Sequence, residues 1–147
     1  MSLQSLVQAQ QLKQHQTSRN EISRLLALAD RSRRDAASTD ISTDLRFTAA
    51  YNAALALATL VLHAAGYRTA GVGHHRLTFE CLPLVLGAHY RELGQYLNRC
   101  RGRRNVAEYQ QAGQTTSAQV EELLEATAQF RTEALEWLAR HHAELVP

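Results

Sequence analysis

The sequence predicts an all-α protein, an up-and-down helical bundle of four long helices plus a short helix. Three observations carry that prediction. Aromatic residues make up 6% of the chain and Pro occurs only 2 times, while Ala, Leu and Gln are abundant, a composition that favours helix over sheet. Apolar residues recur at i, i+3, i+4 and i+7 through several long windows, and no run alternates convincingly with the period of a half-buried strand. Hydrophobic residues at 45% against 20% charged describe a chain that can bury a core, and 147 residues suit one domain.

Residues 1–17 form a polar, Gln-rich segment, read as a helical extension, and residues 18–147 form the single bundle. The first long helix carries Ile22, Leu25, Leu26, Ala29 and Ala36 on one face, opened by Ser18 and Glu21 at capping-box spacing. The second runs from about Asp44 to Ala65, with Gly66 as its C-cap. Apolar residues surround it, which places it in the middle of a bundle. A glycine-rich loop, 66–73, follows. Its Gly71-Val-Gly73 fails as a phosphate loop because position 76 is Arg and no strand precedes it.

The third helix starts between His75 and Pro83, runs to about Arg101 and ends at Gly102. Gly87 and Gly94, seven apart, are read as marking close helix approach along one face. A short helix then covers Arg104 to Ala112. Thr116 and Gln119 form a capping box for the last helix, which carries Val120, Leu123, Leu124, Phe130, Leu135, Trp137 and Leu138.

A net charge of +2 excludes a global field that would hold nucleic acid unaided. Charge is clustered instead. Arg91, Arg99, Arg101, Arg103 and Arg104 face the single acid Glu92, while six Glu against Arg131 and Arg140 make the segment after Gln119 acidic. No secretory leader or membrane span is read in the sequence, since the apolar stretch from Ala53 to Leu62 falls short of the roughly 20 residues a bilayer needs. Cys81 and Cys100, placed on one helix, stand about 28 Å apart at 1.5 Å per residue, too far for a disulfide. Reduced thiols point to the cytoplasm. His74-His75 and His141-His142 diverge by about 100° on a helix and chelate no single metal well, so neither metal nor cofactor is expected.

The densest polar run is Asn98-Arg-Cys-Arg-Gly-Arg-Arg-Asn-Val-Ala-Glu-Tyr109. Its plain reading is a solvated bend whose arginines complement a helix C-terminus. Its functional reading is a phosphate site formed by Arg99, Arg101, Arg103 and Arg104 beside a helix N-terminus at Arg104.

Three stretches of the chain resemble the HEPN superfamily, small all-α domains of toxin–antitoxin and defence systems. They are the Arg- and Ala-rich run from Arg46 to Leu57, Gly66-Tyr-Arg68 followed by His74-His75, and Arg104-Asn-Val-Ala-Glu-Tyr109 leading into Ser117 to Phe130. The family's catalytic signature is Arg, a polar residue, then His. Arg104 and Asn105 match its first two positions, and Tyr109 stands where the His belongs. A tyrosine with pKa near 10 is about one part in a thousand ionised at neutral pH, a poor replacement for imidazole in general acid–base work.

The resemblance therefore implies a non-catalytic or weakly active component that binds RNA or nucleotide phosphate. An active metal-independent endoribonuclease and a purely protein-binding, antitoxin-like scaffold are the alternatives. It also implies a homodimer, single-stranded RNA as ligand and a nucleotidyltransferase-type partner protein. His63 and His89 are the other histidines considered for the cleft, each read more simply as a partly buried His bonded to a neighbour.

Overall fold

The computed structural model describes residues 1–109 and 112–147, with side chains described for all of these except Glu108 and Tyr109. The protein is mostly helical, with one two-stranded antiparallel sheet. In chain order the elements are α1 (Leu3–Gln8), β1 (Leu12–Gln14), α2 (Arg19–Ala37), α3 (Thr43–Ala64), β2 (Tyr67–Thr69), α4 (His74–Glu80), α5 (Leu82–Leu86), α6 (Arg91–Tyr109) and α7 (Ser117–His141). Short 3₁₀ turns occupy Ala88–Tyr90 and Ala143–Leu145.

Helices α2, α3 and α7 form where the apolar periodicity places them, and their caps explain where they begin. Ser18, Ser42 and Thr116 each accept the N3 backbone N–H of the helix they open. Thr116 and Gln119 complete the reciprocal capping box. Ser18 makes only its own half, because the Glu21 carboxylate turns away to His15, Thr17 and His63. The expected box is therefore half right.

Helix α3 is the core element. Ala50, Tyr51, Ala53, Ala54, Leu57, Leu60 and Val61 are all fully buried, and α2, α6 and α7 pack around it. Its length and apolar composition would let it cross a bilayer, yet 67% of its most apolar window is buried inside the protein. Arg46, buried on the same helix, donates through Nε to the Ala36 carbonyl at 2.8 Å and pairs with Glu121 at 2.8 Å, tying α2, α3 and α7 together. Arg131 grips Asp30 through two bonds of 2.7 and 3.0 Å, joining α7 to α2.

Four sequence expectations are corrected. A sheet exists: Leu12, Lys13 and Gln14 pair with Thr69, Arg68 and Tyr67, strands of three residues too short to show alternation. Residues 1–17 are helical only over Leu3–Gln8, and Leu6 and Leu12 are buried against Leu62, Leu77 and Cys81. The third helix is not continuous. It is split into α4, α5 and α6, with Gly87 at φ +116° in the break, so Gly87 and Gly94 do not share a helix face.

The fourth correction is the most consequential. Gly102 does not end α6, which runs on through Arg104 to Tyr109 as one helix, so no separate short helix starts at Arg104. The amides at Arg104 are therefore engaged in a helix interior, and the N-terminal half of the phosphate reading is lost.

Candidate functional site: a cationic pocket between two helices

The register of α4 against α6 builds the site. Helix α6 carries Gly94, Asn98, Arg101 and Asn105 at spacings of four, three and four, which put them on one face. A Cβ on Gly94 would lie 2.7 Å from the Phe79 carbonyl oxygen of α4. Only glycine permits that approach. Asn98 then donates through Nδ2 to the Arg76 carbonyl at 3.4 Å and accepts from Arg101 Nε at 3.3 Å. One turn further on, Arg101, Arg104 and Asn105 meet His74, His75 and Arg76 at the start of α4 around a pocket of about 320 Å³. Among the described residues, no carboxylate lines it.

Aromatic residues of the core stand behind the lining side chains. Tyr51 of α3 is fully buried, and its hydroxyl lies 3.0 Å from His75 Nδ1. Its ring makes an edge contact with Phe79 at 5.8 Å and carries the Arg104 guanidinium 4.9 Å from its centroid. Burial raises the Tyr51 hydroxyl above its ordinary pKa, although the nearby Arg104 and Arg101 charges pull the other way. Burial lowers the His75 pKa, and Arg104 and Arg101 push it down further. His75 is therefore a neutral imidazole at pH 7, with Nδ1 held by Tyr51 and the side chain lining the pocket. If Tyr51 donates, His75 carries its proton on Nε2 and can donate to an anion; the opposite tautomer offers a lone pair there.

Three of the residues singled out in the sequence, Arg101, Arg104 and Asn105, converge in this pocket. Two do not. Arg99 points along another face of α6, over the Tyr96 ring at 5.8 Å, and lines a separate groove of about 610 Å³ with Phe79, Pro83 and Gln95. Arg103 is exposed on the helix side away from Arg101. Both departures follow from a continuous helix, in which residues two apart lie about 200° round. The side chain of Tyr109, the third signature position, falls outside the described residues.

His75 was missed as a site residue. It precedes Arg104 by 29 positions, so no local motif links them, and the sequence marks it only as half of the adjacent pair His74-His75. His63 does not reach this pocket; it bonds Glu21 at 3.0 Å. His89 lies against Tyr90 beside a different depression lined by Phe130 and Glu133.

Such an arrangement defines a helical protein with a cationic pocket, lined by no carboxylate among the described residues and bearing a neutral imidazole. Comparisons with protein-family models, curated proteins and solved structures find no match to this chain.

Proposed function

We propose that this chain is a HEPN-like helical domain whose four long helices form an up-and-down bundle and whose α4–α6 pocket binds the phosphates of single-stranded RNA. One observation carries the reading: Arg101, Arg104, Asn105 and His75 converge on a pocket that no described carboxylate lines. Guanidinium groups bind phosphate oxygens bidentately, and Asn and imidazole N–H groups complete an oxyanion's shell. The resemblance of Arg104-Asn105 to the family signature points the same way. A cytoplasmic homodimer that lines a shared cleft with both pockets, working beside a nucleotidyltransferase-type partner, belongs to the same proposal.

A second reading, a metal-independent endoribonuclease, is favoured by His75. The sequence argument against catalysis was the missing signature His, and an imidazole beside Arg104 supplies the missing chemistry from another helix. In that reading His75 takes the 2′-hydroxyl proton, the 2′-oxygen attacks the adjacent phosphorus, the 5′-oxygen of the next nucleotide leaves and takes a proton from water, and His75 then gives its proton back to solvent. The products are a 2′,3′-cyclic phosphate and a 5′-hydroxyl.

The test is binding of a labelled single-stranded RNA by fluorescence anisotropy across a salt series. About three neutralised phosphates give a log–log slope near −2. Arg101→Ala or Arg104→Ala should flatten the slope by about 0.7 and weaken binding roughly tenfold, with Arg103→Ala close to native. Equal effects of all three substitutions would remove the pocket from the account. Cleavage by the native protein that falls about 10²- to 10⁴-fold in His75→Ala would select the enzyme reading.

A further inference from the structure

Away from the α4–α6 pocket, three side chains from three elements converge on one point. His15 follows β1, Glu21 lies in the first turn of α2, and His63 lies in the last turn of α3. His15 Nε2 stands 2.7 Å and His63 Nδ1 3.0 Å from the same Glu21 oxygen, Oε1. The three ligand atoms all lie within 4.8 Å of one another. The two imidazoles tilt by 49° with centroids 4.4 Å apart. Their side chains are 20%, 26% and 19% exposed, so the cluster is sheltered but open on one side.

We propose that His15 Nε2, Glu21 Oε1 and His63 Nδ1 form a binding site for a divalent transition-metal ion, Zn²⁺ foremost, with one coordination position open to solvent. Two imidazoles and a carboxylate are a donor set suited to such ions, as opposed to Mg²⁺ or Ca²⁺, which take oxygen ligands. Tetrahedral bonds of about 2.0–2.1 Å separate neighbouring ligand atoms by about 3.3 Å, so the His15–Glu21 separation of 2.7 Å needs to open by about 0.6 Å and the His63–Glu21 separation of 3.0 Å by about 0.3 Å. The protonation states suit a cation. Glu21 is held ionised, and burial keeps His63 neutral despite the adjacent carboxylate. Thr17 Oγ1 donates to Glu21 Oε1 at 2.7 Å and orients it, a role that outer partners commonly play around metal ligands.

The backbone fixes the geometry before any ion arrives. His15 N–H donates to the Gly66 carbonyl at 2.8 Å, Ser18 caps α2 through the Glu21 N–H at 3.1 Å, and Gly66 at φ +100° turns the chain out of α3. Arg68 is the positive charge that acts on His63 from β2 and sets a limit on affinity. The competing account is a carboxylate that accepts three hydrogen bonds and nothing more. In the metal account each imidazole turns a lone pair on His15 Nε2 and His63 Nδ1 to the ion and keeps its single proton on the other ring nitrogen, so a neutral ring changes tautomer and stays neutral.

The experiment uses the full chain after dialysis against a chelator, titrated with ZnCl₂ and separately with MgCl₂. Calorimetry should show one Zn²⁺ per chain and no Mg²⁺, and Zn²⁺ at 100 times its Kd should raise the Tm by about 5–10 °C. Glu21→Gln, which keeps a hydrogen-bond acceptor, and His15→Gln should each weaken Zn²⁺ binding at least tenfold; the pair His141→Gln/His142→Gln should leave it unchanged. Visible d–d absorption from Co²⁺ bound to the native protein gives a readout that needs no variant. Binding that survives Glu21→Gln, that is lost with His141 and His142, or that gives no low-coordinate Co²⁺ spectrum would overturn the proposal. The α4–α6 pocket shares no residue with this cluster, so either reading can fail without the other.

Discussion

Burial alone would raise the pKa of Glu21, but hydrogen bonds from Thr17, His15 and His63 outweigh it and hold the carboxyl at about 2. The sign is that of a folded pKa depressed below the unfolded value near 4.5. Such a group contributes stability that is full above about pH 4.5 and lost as pH falls toward 2. In metal-free protein, Glu21→Gln should therefore unfold at lower urea than native at pH 7, and the gap should close between pH 4.5 and 2. A constant gap across that window would mean that the carboxylate's charge contributes nothing. His63, with its pKa lowered by burial, adds acid sensitivity below its ordinary value of 6.5. None of this was legible in the sequence beyond the Ser18–Glu21 spacing. Local rules assign Glu21 to a capping box, and only the tertiary approach of His15 and His63 gives its carboxylate better partners. His75 escaped for the same reason, since its partner Tyr51 lies 24 positions away on another helix.

Helices were legible where a stripe of apolar residues and a side-chain cap agreed, as at Ser18 and Thr116. They were misread where glycine was taken as punctuation. Gly102 and Gly94 both lie inside α6, and their surroundings make opposite predictions. A Cβ at Gly102 meets nothing within 4 Å, so Gly102→Ala should stabilise the protein by about 1 kcal/mol through helix propensity. A helix that stopped at this glycine would not gain from alanine. Gly94→Ala drives a Cβ to 2.7 Å from the Phe79 carbonyl and should destabilise by about 1–3 kcal/mol as α6 lifts off α4. Because Asn98, Arg101 and Asn105 ride on the same face, it should also weaken RNA binding, which Gly102→Ala leaves intact. Chemical denaturation of the two variants checks the signs. Gly87 sits at φ +116°, a conformation that breaks the path from α5 to α6 whatever the surrounding pattern says.

For the whole molecule, the sequence made residues 1–17 an appendage because polar residues outnumber apolar ones there, and average polarity hides two anchors. Leu6 at 5% and Leu12 at 1% exposure close over Leu62, Leu77 and Cys81, and β1 supplies the only partner of β2 among the described residues. Each buried leucine is worth about 1.5–3 kcal/mol. Together they reach a good part of the 5–15 kcal/mol that holds an ordinary domain folded. The thiols report on this packing. Burial pushes Cys81 up to about 12 and Cys100 up to about 11, so neither is a thiolate at pH 7 and both should resist a disulfide reagent in the native protein. Deleting residues 1–17 keeps the Ser18 cap but uncovers the Leu62–Leu77–Cys81 cluster. Cys81 should then react rapidly while Cys100, buried among Tyr51, Phe79 and Leu97 in the central core, stays protected. The truncated chain should also melt well below the full one. Two thiols that react together would mean that the central core opened as well, and two that stay silent would return the segment to the appendage its composition describes.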